Sequence, residues 1–83
     1  MWYVYILQCV DGSLYTGYSN DLRQRFEDHK NGTGGHYTRS HKPSKLIYKE
    51  KLATKGQALK REYEIKKWSR EKKIKILKLN VAI

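Results

Sequence analysis

Eighty-three residues, 39% of them hydrophobic and 31% charged, suffice for one small domain with a modest core and leave no room for a second. Eighteen Lys and Arg against eight Asp and Glu give a net charge of +10, which points to a polyanionic partner, most often nucleic acid. No apolar run approaches the roughly 20 residues of a membrane span, the start lacks a secretory pattern, and Cys9 is the single cysteine, so a cytoplasmic protein without a disulfide or a membrane is expected.

Trp2 to Cys9 consists largely of strong β formers. Trp2, Val4 and Ile6 face one way; Tyr3, Tyr5 and Leu7 face the other. Both sets are apolar, so a central strand covered on both faces is expected. "VDGS" then signals a hairpin, with Ser13 to Tyr18 as the return strand. The loop length decides which side chains meet. With Asp11-Gly12 as the loop, Tyr5 and Tyr15 fall on opposite faces. With Val10-Asp11-Gly12 and a left-handed Gly12, Tyr5 sits opposite Gly17 and Tyr15 lies diagonal to it on the same face. The residues alone leave both open.

Ser19, Asn20 and Asp21 offer N-caps for a helix from about Asp21 to Lys30, stopped by Asn31-Gly32. Residues 31–45 form a long loop rich in Gly, Thr and Ser, of the kind that usually has a function. Leu46 to Leu52 reads as a third strand, and Lys49, Glu50 and Lys51 suggest an edge. Thr54 caps a helix from about Lys55 to Trp68. Ser69 caps another from about Arg70 to Leu79, with Ile74, Leu77 and Val81 on one stripe. The order is ββαβαα. It implies an α+β fold, a small three-stranded antiparallel sheet flanked by three helices, with residues 1–83 as a single domain.

Several polar groups fall on stripes that should seek the core. Leu22 and Phe26 mark the apolar side of the first helix, and the same stripe takes in Arg25 and His29. On the second helix Ala58, Leu59 and Ile65 define a buried arc, and Glu62 falls inside it. A carboxylate there needs a partner. Either it forms a buried ion pair with Arg25, or both belong to a pocket. In a pocket, one carboxylate is enough to hold a Mg²⁺ otherwise coordinated by water and phosphate. Arg25 could stabilise charge on a phosphoryl oxygen, and a Tyr or His could move a proton. That set fits metal-assisted phosphodiester hydrolysis.

Tyr37, Arg39 and Lys42 in the long loop suit nucleic-acid binding, an aromatic for a base and cations for phosphates. Lys60, Arg61, Lys66, Lys67, Arg70, Lys72, Lys73, Lys75 and Lys78 read as a basic face over the last two helices. His29, His36, His41 and Cys9 match no common zinc spacing. "GTGG" follows no strand and is not a phosphate loop.

"YVY" at Tyr3 to Tyr5, followed ten residues on by "YTG" at Tyr15 to Gly17, resembles the signature of the GIY-YIG nucleases. "SNDLRQRFEDH" is similar to that family's helix with an Arg ten residues after the second motif Tyr, here Arg25. "ALKREYEIKKW" resembles its metal-binding helix, and the matching Glu is Glu62. The resemblance spans nearly the whole chain and is nearest to small stand-alone bacterial members and to the domain of structure-specific DNA nucleases.

The resemblance implies that Tyr5 and Tyr15 line the site, with Tyr5 as the favoured base and Tyr15 assisting. Arg25 would bind the scissile phosphate, Glu62 would hold one Mg²⁺ or Mn²⁺, and His29 would stand beside Arg25. It also selects the three-residue hairpin loop, because both tyrosines must share a face. Tyr3 and Thr16 depart from the motif at positions without chemistry. Tyr18 stands where several relatives carry a catalytic Lys.

The expected function is a metal-dependent endonuclease acting on DNA, with branched, nicked or single-stranded forms in repair or recombination as candidate substrates, and working as a monomer. The alternative is a catalytically weak DNA-binding module of the same fold that acts with a partner. Such a module would be expected to lose at least one of Tyr5, Tyr15, Arg25 and Glu62, and all four are present.

Overall fold

The computed structural model describes residues 1–31 and 43–79, without the side chains of His29, Lys30 and Pro43. In chain order the elements are β1 (Trp2–Cys9), β2 (Leu14–Ser19), α1 (Leu22–Lys30), β3 (Pro43–Leu52), α2 (Lys55–Lys66) and α3 (Arg70–Leu77). The strands form one antiparallel sheet in the order β2-β1-β3, so the fold is the α+β, ββαβαα arrangement that the sequence implies.

β1 is the central strand, and Val4 to Cys9 are all buried. On one face Trp2, Val4 and Ile6 meet Ala58 and Ile65 of α2, Ile74 and Leu77 of α3, and Leu79. On the other face Tyr5 meets Arg25 of α1, and Leu7 and Cys9 are buried on the same side. A strand covered on both faces needs apolar residues at every position, which is why "VYIL" does not alternate with polar residues.

The hairpin loop has three residues. Tyr5 pairs with Gly17 and Leu7 with Tyr15, so Cys9 and Ser13 close the turn. Gly12 has φ +87°, a left-handed conformation that favours glycine. Asp11 supports the turn by accepting from the Ser13 N–H at 3.0 Å. The Arg70 guanidinium donates to the Gly12 carbonyl, tying the start of α3 to the hairpin.

β3 begins at Pro43, three residues before the expected Leu46. Polar Ser44 and Lys45 hide the strand from a hydrophobic pattern, and a bulge around Ile47 breaks the alternation. Proline is tolerated there because it is the first residue of an edge strand. Lysines at 45, 49 and 51 charge this strand, as expected at the edge of a sheet.

Asp21 caps α1, accepting from the Gln24 N–H at 3.1 Å. Thr54 and Ser69 cap α2 and α3 as the sequence implies. Both helices stop two residues early. α2 ends at Lys66 because Ser69 starts the next cap, and α3 ends where Lys78 adopts a left-handed φ of 53°. Leu59 is corrected. It is 40% exposed, because the buried direction runs along Ala58 and Ile65 and Leu59 lies a full 100° round from Ala58. Val81 lies outside the described residues.

Thr16 is buried, and its hydroxyl has no hydrogen-bond partner among the described residues. An unsatisfied buried hydroxyl is destabilising, whereas a methyl is at home there. Thr16→Val is therefore expected to stabilise the fold by about 1 kcal/mol, a rise of roughly 4–8 °C in Tm by calorimetry. A fall in Tm would mean the hydroxyl is satisfied.

Candidate active site

The hairpin register puts Tyr5 and Tyr15 on one face, with ring centroids 6.3 Å apart at 42°. Gly17 makes this possible. A Cβ at Gly17 would lie 2.5 Å from the Tyr5 hydroxyl, 2.7 Å from its Cζ and 3.0 Å from Tyr15 Cε2. The Tyr5 ring thus crosses over Gly17 toward the β2 edge of the sheet. A glycine inside a strand signals such close approach.

At that edge the two helix layers meet. Arg25 comes from α1 on one face, Lys55 and Glu62 from α2 on the other, and Tyr15, Gly17, Tyr18, Ser19 and Asn20 from β2 and the turn that follows. With Trp2 and Tyr5 they line one cleft of about 320 Å³. Tyr5, Tyr15, Arg25 and Glu62, the four candidates from strand faces and helix stripes, all line this cleft. The side chain of His29, and Tyr37, Arg39 and Lys42, lie outside the described residues.

Arg25 hydrogen-bonds Tyr5, its guanidinium donating to the phenol oxygen, and this contact raises the pKa of Arg25 further. Its Nε–H is buried and has no acceptor among the described residues. A buried donor without an acceptor costs about 1–3 kcal/mol, so the position calls for an oxygen from a ligand or water. Burial pushes the Tyr5 pKa up to about 12, against the lowering effect of Arg25. Tyr5 is therefore a neutral phenol near pH 7.

The Glu62 side chain is only 14% exposed. Of the two readings the stripes allow, the ion pair with Arg25 does not form. Glu62 instead meets Lys66, one turn along α2, at 3.5 Å. The Lys66 ammonium also lies 6.0 Å from the Tyr15 ring centroid. Arg25 and Glu62 are walls of the same cleft rather than partners, which is the second of the two readings the stripes allow.

Whether these residues suit a divalent cation can be tested on the donor set. Among the described residues no three His, Cys, Asp or Glu gather to cage a metal. Glu62 alone presents a mostly buried carboxylate on a cleft wall with a single, long ion pair. That suits a Mg²⁺ completed by water and phosphate, and not a closed structural site. Cys9 is buried, and burial raises its thiol pKa, so it is an inert core residue.

The basic face expected over α2 and α3 is less uniform than its lysine count suggests. Arg61 pairs with Glu50 at 3.0 Å and with Glu64, and stacks 5.4 Å from Trp68. Arg70 is tied to the Gly12 carbonyl, and Lys73 is half-buried with its pKa lowered by burial. Lys60, Lys67, Lys72, Lys75 and Lys78 remain exposed. Residues the sequence did not single out line the cleft: Lys55, whose ammonium lies 5.7 Å from the Trp2 ring centroid, and Trp2 itself. Lys66 was legible from its spacing, four residues after Glu62. Lys55 had no such signal.

Residues 1–75 match the family profile of the GIY-YIG catalytic domain. A UPF0213 protein of Staphylococcus saprophyticus is 53% identical over 75 residues, covering 90% of this chain and 92% of its own. A UPF0213 protein of Staphylococcus aureus is 51% identical over 76 residues, covering 92% and 93%. The solution structure of a UPF0213 protein from Bacillus halodurans superposes with a TM-score of 0.60 at 43% identity, over 94% of this chain and 84% of that one.

Proposed function

Because the chain belongs to the GIY-YIG catalytic-domain family, we propose that it is a divalent-metal-dependent endonuclease that hydrolyses DNA phosphodiester bonds in the Tyr5–Tyr15–Arg25–Glu62 cleft. The family is one of nucleases, and DNA is its substrate class. The observation that carries the reading is the cleft itself: an arginine whose buried N–H has no acceptor among the described residues and a mostly buried carboxylate line one cleft with two tyrosines. A phosphodiester would bring the acceptor oxygen that the Arg25 Nε–H lacks among the described residues.

Each residue then has a role. Arg25 binds a non-bridging oxygen of the scissile phosphate and stabilises charge as it develops there. Glu62 would hold a single Mg²⁺ or Mn²⁺, which supplies positive charge at the phosphate oxygens. Tyr5 is the base for the attacking water, and Arg25, by donating to its oxygen, favours the phenolate. Tyr15 assists from beside it, and His29 joins them from α1. Lys55 adds positive charge at the mouth of the cleft. Tyr37, Arg39 and Lys42 are assigned to nucleic-acid contact. Repair or recombination substrates, a cytoplasmic location, a single domain over residues 1–83 and a monomer complete the reading. Among the described residues, no helix is long and apolar enough to cross a membrane.

A panel of labelled duplex, nicked, branched and single-stranded DNAs with Mg²⁺ tests it, comparing wild type with Glu62→Ala. Wild type is expected to cut at least one form, and the variant to lose the activity while keeping its fold by circular dichroism. Undiminished cleavage by Glu62→Ala would remove the metal role. No cleavage by wild type, alongside salt-sensitive binding, would favour the second reading, a binding module acting with a partner. The raised Tyr5 pKa is the one observation that leans that way.

The same pKa fixes a pH dependence. Tyr5 is protonated below about 12, and the active form of a base is the phenolate. The phenolate fraction rises tenfold per pH unit below the pKa, so log kcat/KM is expected to climb with a slope of about one between about pH 7 and about pH 9. Tyr5→Phe should flatten the profile. A flat profile in wild type over that range would assign Tyr5, fully protonated there, to proton donation instead.

A further inference from the structure

Glu62 is one residue of a longer surface on α2. Going round the helix at 100° per residue from buried Ala58 and Ile65, Glu62 comes first. Lys55 and Lys66 follow, then Leu59 and Tyr63, then Lys67. Lys55 and Glu62 line the cleft, and Lys66 reaches both Glu62 and the Tyr15 ring. Outward of them Leu59 is 40% exposed and Tyr63 is 64% exposed. The Lys67 ammonium lies 4.3 Å from the Tyr63 ring centroid.

A lone surface aromatic is unremarkable. This one is the chain neighbour of the cleft carboxylate, forms a short apolar strip with Leu59, and is surrounded by Lys60, Lys66 and Lys67. The strip is too small for a stable protein interface, and the lysines around it select a polyanion. A strand whose phosphate sits between Arg25 and Glu62 can leave the cleft across this rim.

Bases in a duplex stack on one another and offer only their edges to a protein, so a ring face there has nothing to pack against. An unpaired base has a free face, and stacking on an aromatic ring is its usual mode of recognition. Lys67 lies over the Tyr63 ring, and the 64% exposure of the residue leaves ring surface for a base. We infer that the Leu59–Tyr63 rim of α2 is a stacking subsite for an unpaired nucleobase near the scissile phosphate, with Lys66 and Lys67 on the flanking phosphates. The substrate class is then DNA with single-stranded character beside the cut: flaps, gaps and frayed ends. This rests on the reading of the cleft as a phosphodiester site.

The experiment uses DNA with one 2-aminopurine, placed in the unpaired arm next to a junction or inside a fully paired duplex. Binding is followed by fluorescence in EDTA, so that no cleavage intervenes. Wild type is expected to quench the unpaired probe. Tyr63→Ala should remove the quenching and weaken flap binding about tenfold, with less than a twofold change for the duplex. Tyr63→Phe should behave as wild type, because it keeps the ring. The inference is overturned if Tyr63→Ala weakens duplex and flap equally, or leaves both unchanged. It is equally overturned if the variant instead changes sedimentation, which would make the rim a self-association face. The nuclease reading is scored separately on the wild-type protein with Mg²⁺. Glu62-dependent cleavage with no Tyr63 effect sinks the subsite alone. Quenching of the flap without cleavage of any DNA upholds the subsite as a binding site and sinks the enzyme.

Discussion

Replacing Arg25 with alanine is expected to lower kcat/KM for DNA cleavage about a thousandfold. The guanidinium is half-buried, held against the Tyr5 hydroxyl, and has a further N–H with no acceptor among the described residues. It is thus oriented before any ligand arrives, and preorganised donors act most strongly where charge develops. Arg25→Lys is expected to recover little of the loss. An ammonium has no planar fork and cannot hold Tyr5 and a phosphate oxygen in fixed directions at once. Arg25 also supports Tyr5, so its two roles need separating. If it acted through Tyr5 alone, Arg25→Ala, Tyr5→Phe and the double variant would be equally slow. A double variant slower than either single one places Arg25 on the phosphate. A loss below about fivefold for Arg25→Ala, with Tm unchanged, would take Arg25 out of the chemistry altogether.

Gly17→Ala is the smallest substitution expected to disable the site. The new Cβ would lie 2.5 Å from the Tyr5 hydroxyl and 2.7 Å from Cζ, closer than real contacts allow. Tyr5 is 1% exposed, so its ring has little space to retreat into. Either the ring leaves its rotamer or β2 moves away from β1. Overpacking of this kind costs about 1–3 kcal/mol. Activity should fall at least as far as in Tyr5→Phe, since the hydroxyl is displaced from Arg25 as well. Urea unfolding checks the mechanism. The cost of Gly17→Ala should shrink in a Tyr5→Phe background, where the nearest clashing atom is gone. The same cost in both backgrounds would mean that the strain lies in the ring atoms that remain, Tyr5 Cζ at 2.7 Å and Tyr15 Cε2 at 3.0 Å, or in the strand itself.

Two of the four candidate residues that line the cleft stood out because they broke a local rule, and the tyrosines by their place on either side of the hairpin. Glu62 sat within an apolar arc and Arg25 on an apolar stripe, and two tyrosines flanked a turn. Those anomalies survive in any fold, since a buried charge must be matched somewhere. Leu59 and the start of β3 were misread for the opposite reason. A helix arc is wide enough to misplace one apolar residue by a single step. A bulge around Ile47 and polar Ser44 and Lys45 erase the period-two signal at the edge of a sheet.

By itself the sequence determined the element order, the caps at Thr54 and Ser69, the central place of β1 and which residues to propose for the site. Propensity, periodicity and capping are local, and the short motifs record the rest. Only the tertiary structure decided what those residues do to one another. It set the hairpin register that puts Tyr5 over Gly17, the burial that raises the Tyr5 pKa to about 12, and the choice of Lys66 over Arg25 as the partner of Glu62. Each depends on which layer faces which edge of the sheet, and distances between elements far apart in the chain are written in no local pattern. The exposure of Tyr63 beside the cleft belongs to the same class, because a helix shows which residues share a direction and the packing alone shows which direction is left to solvent.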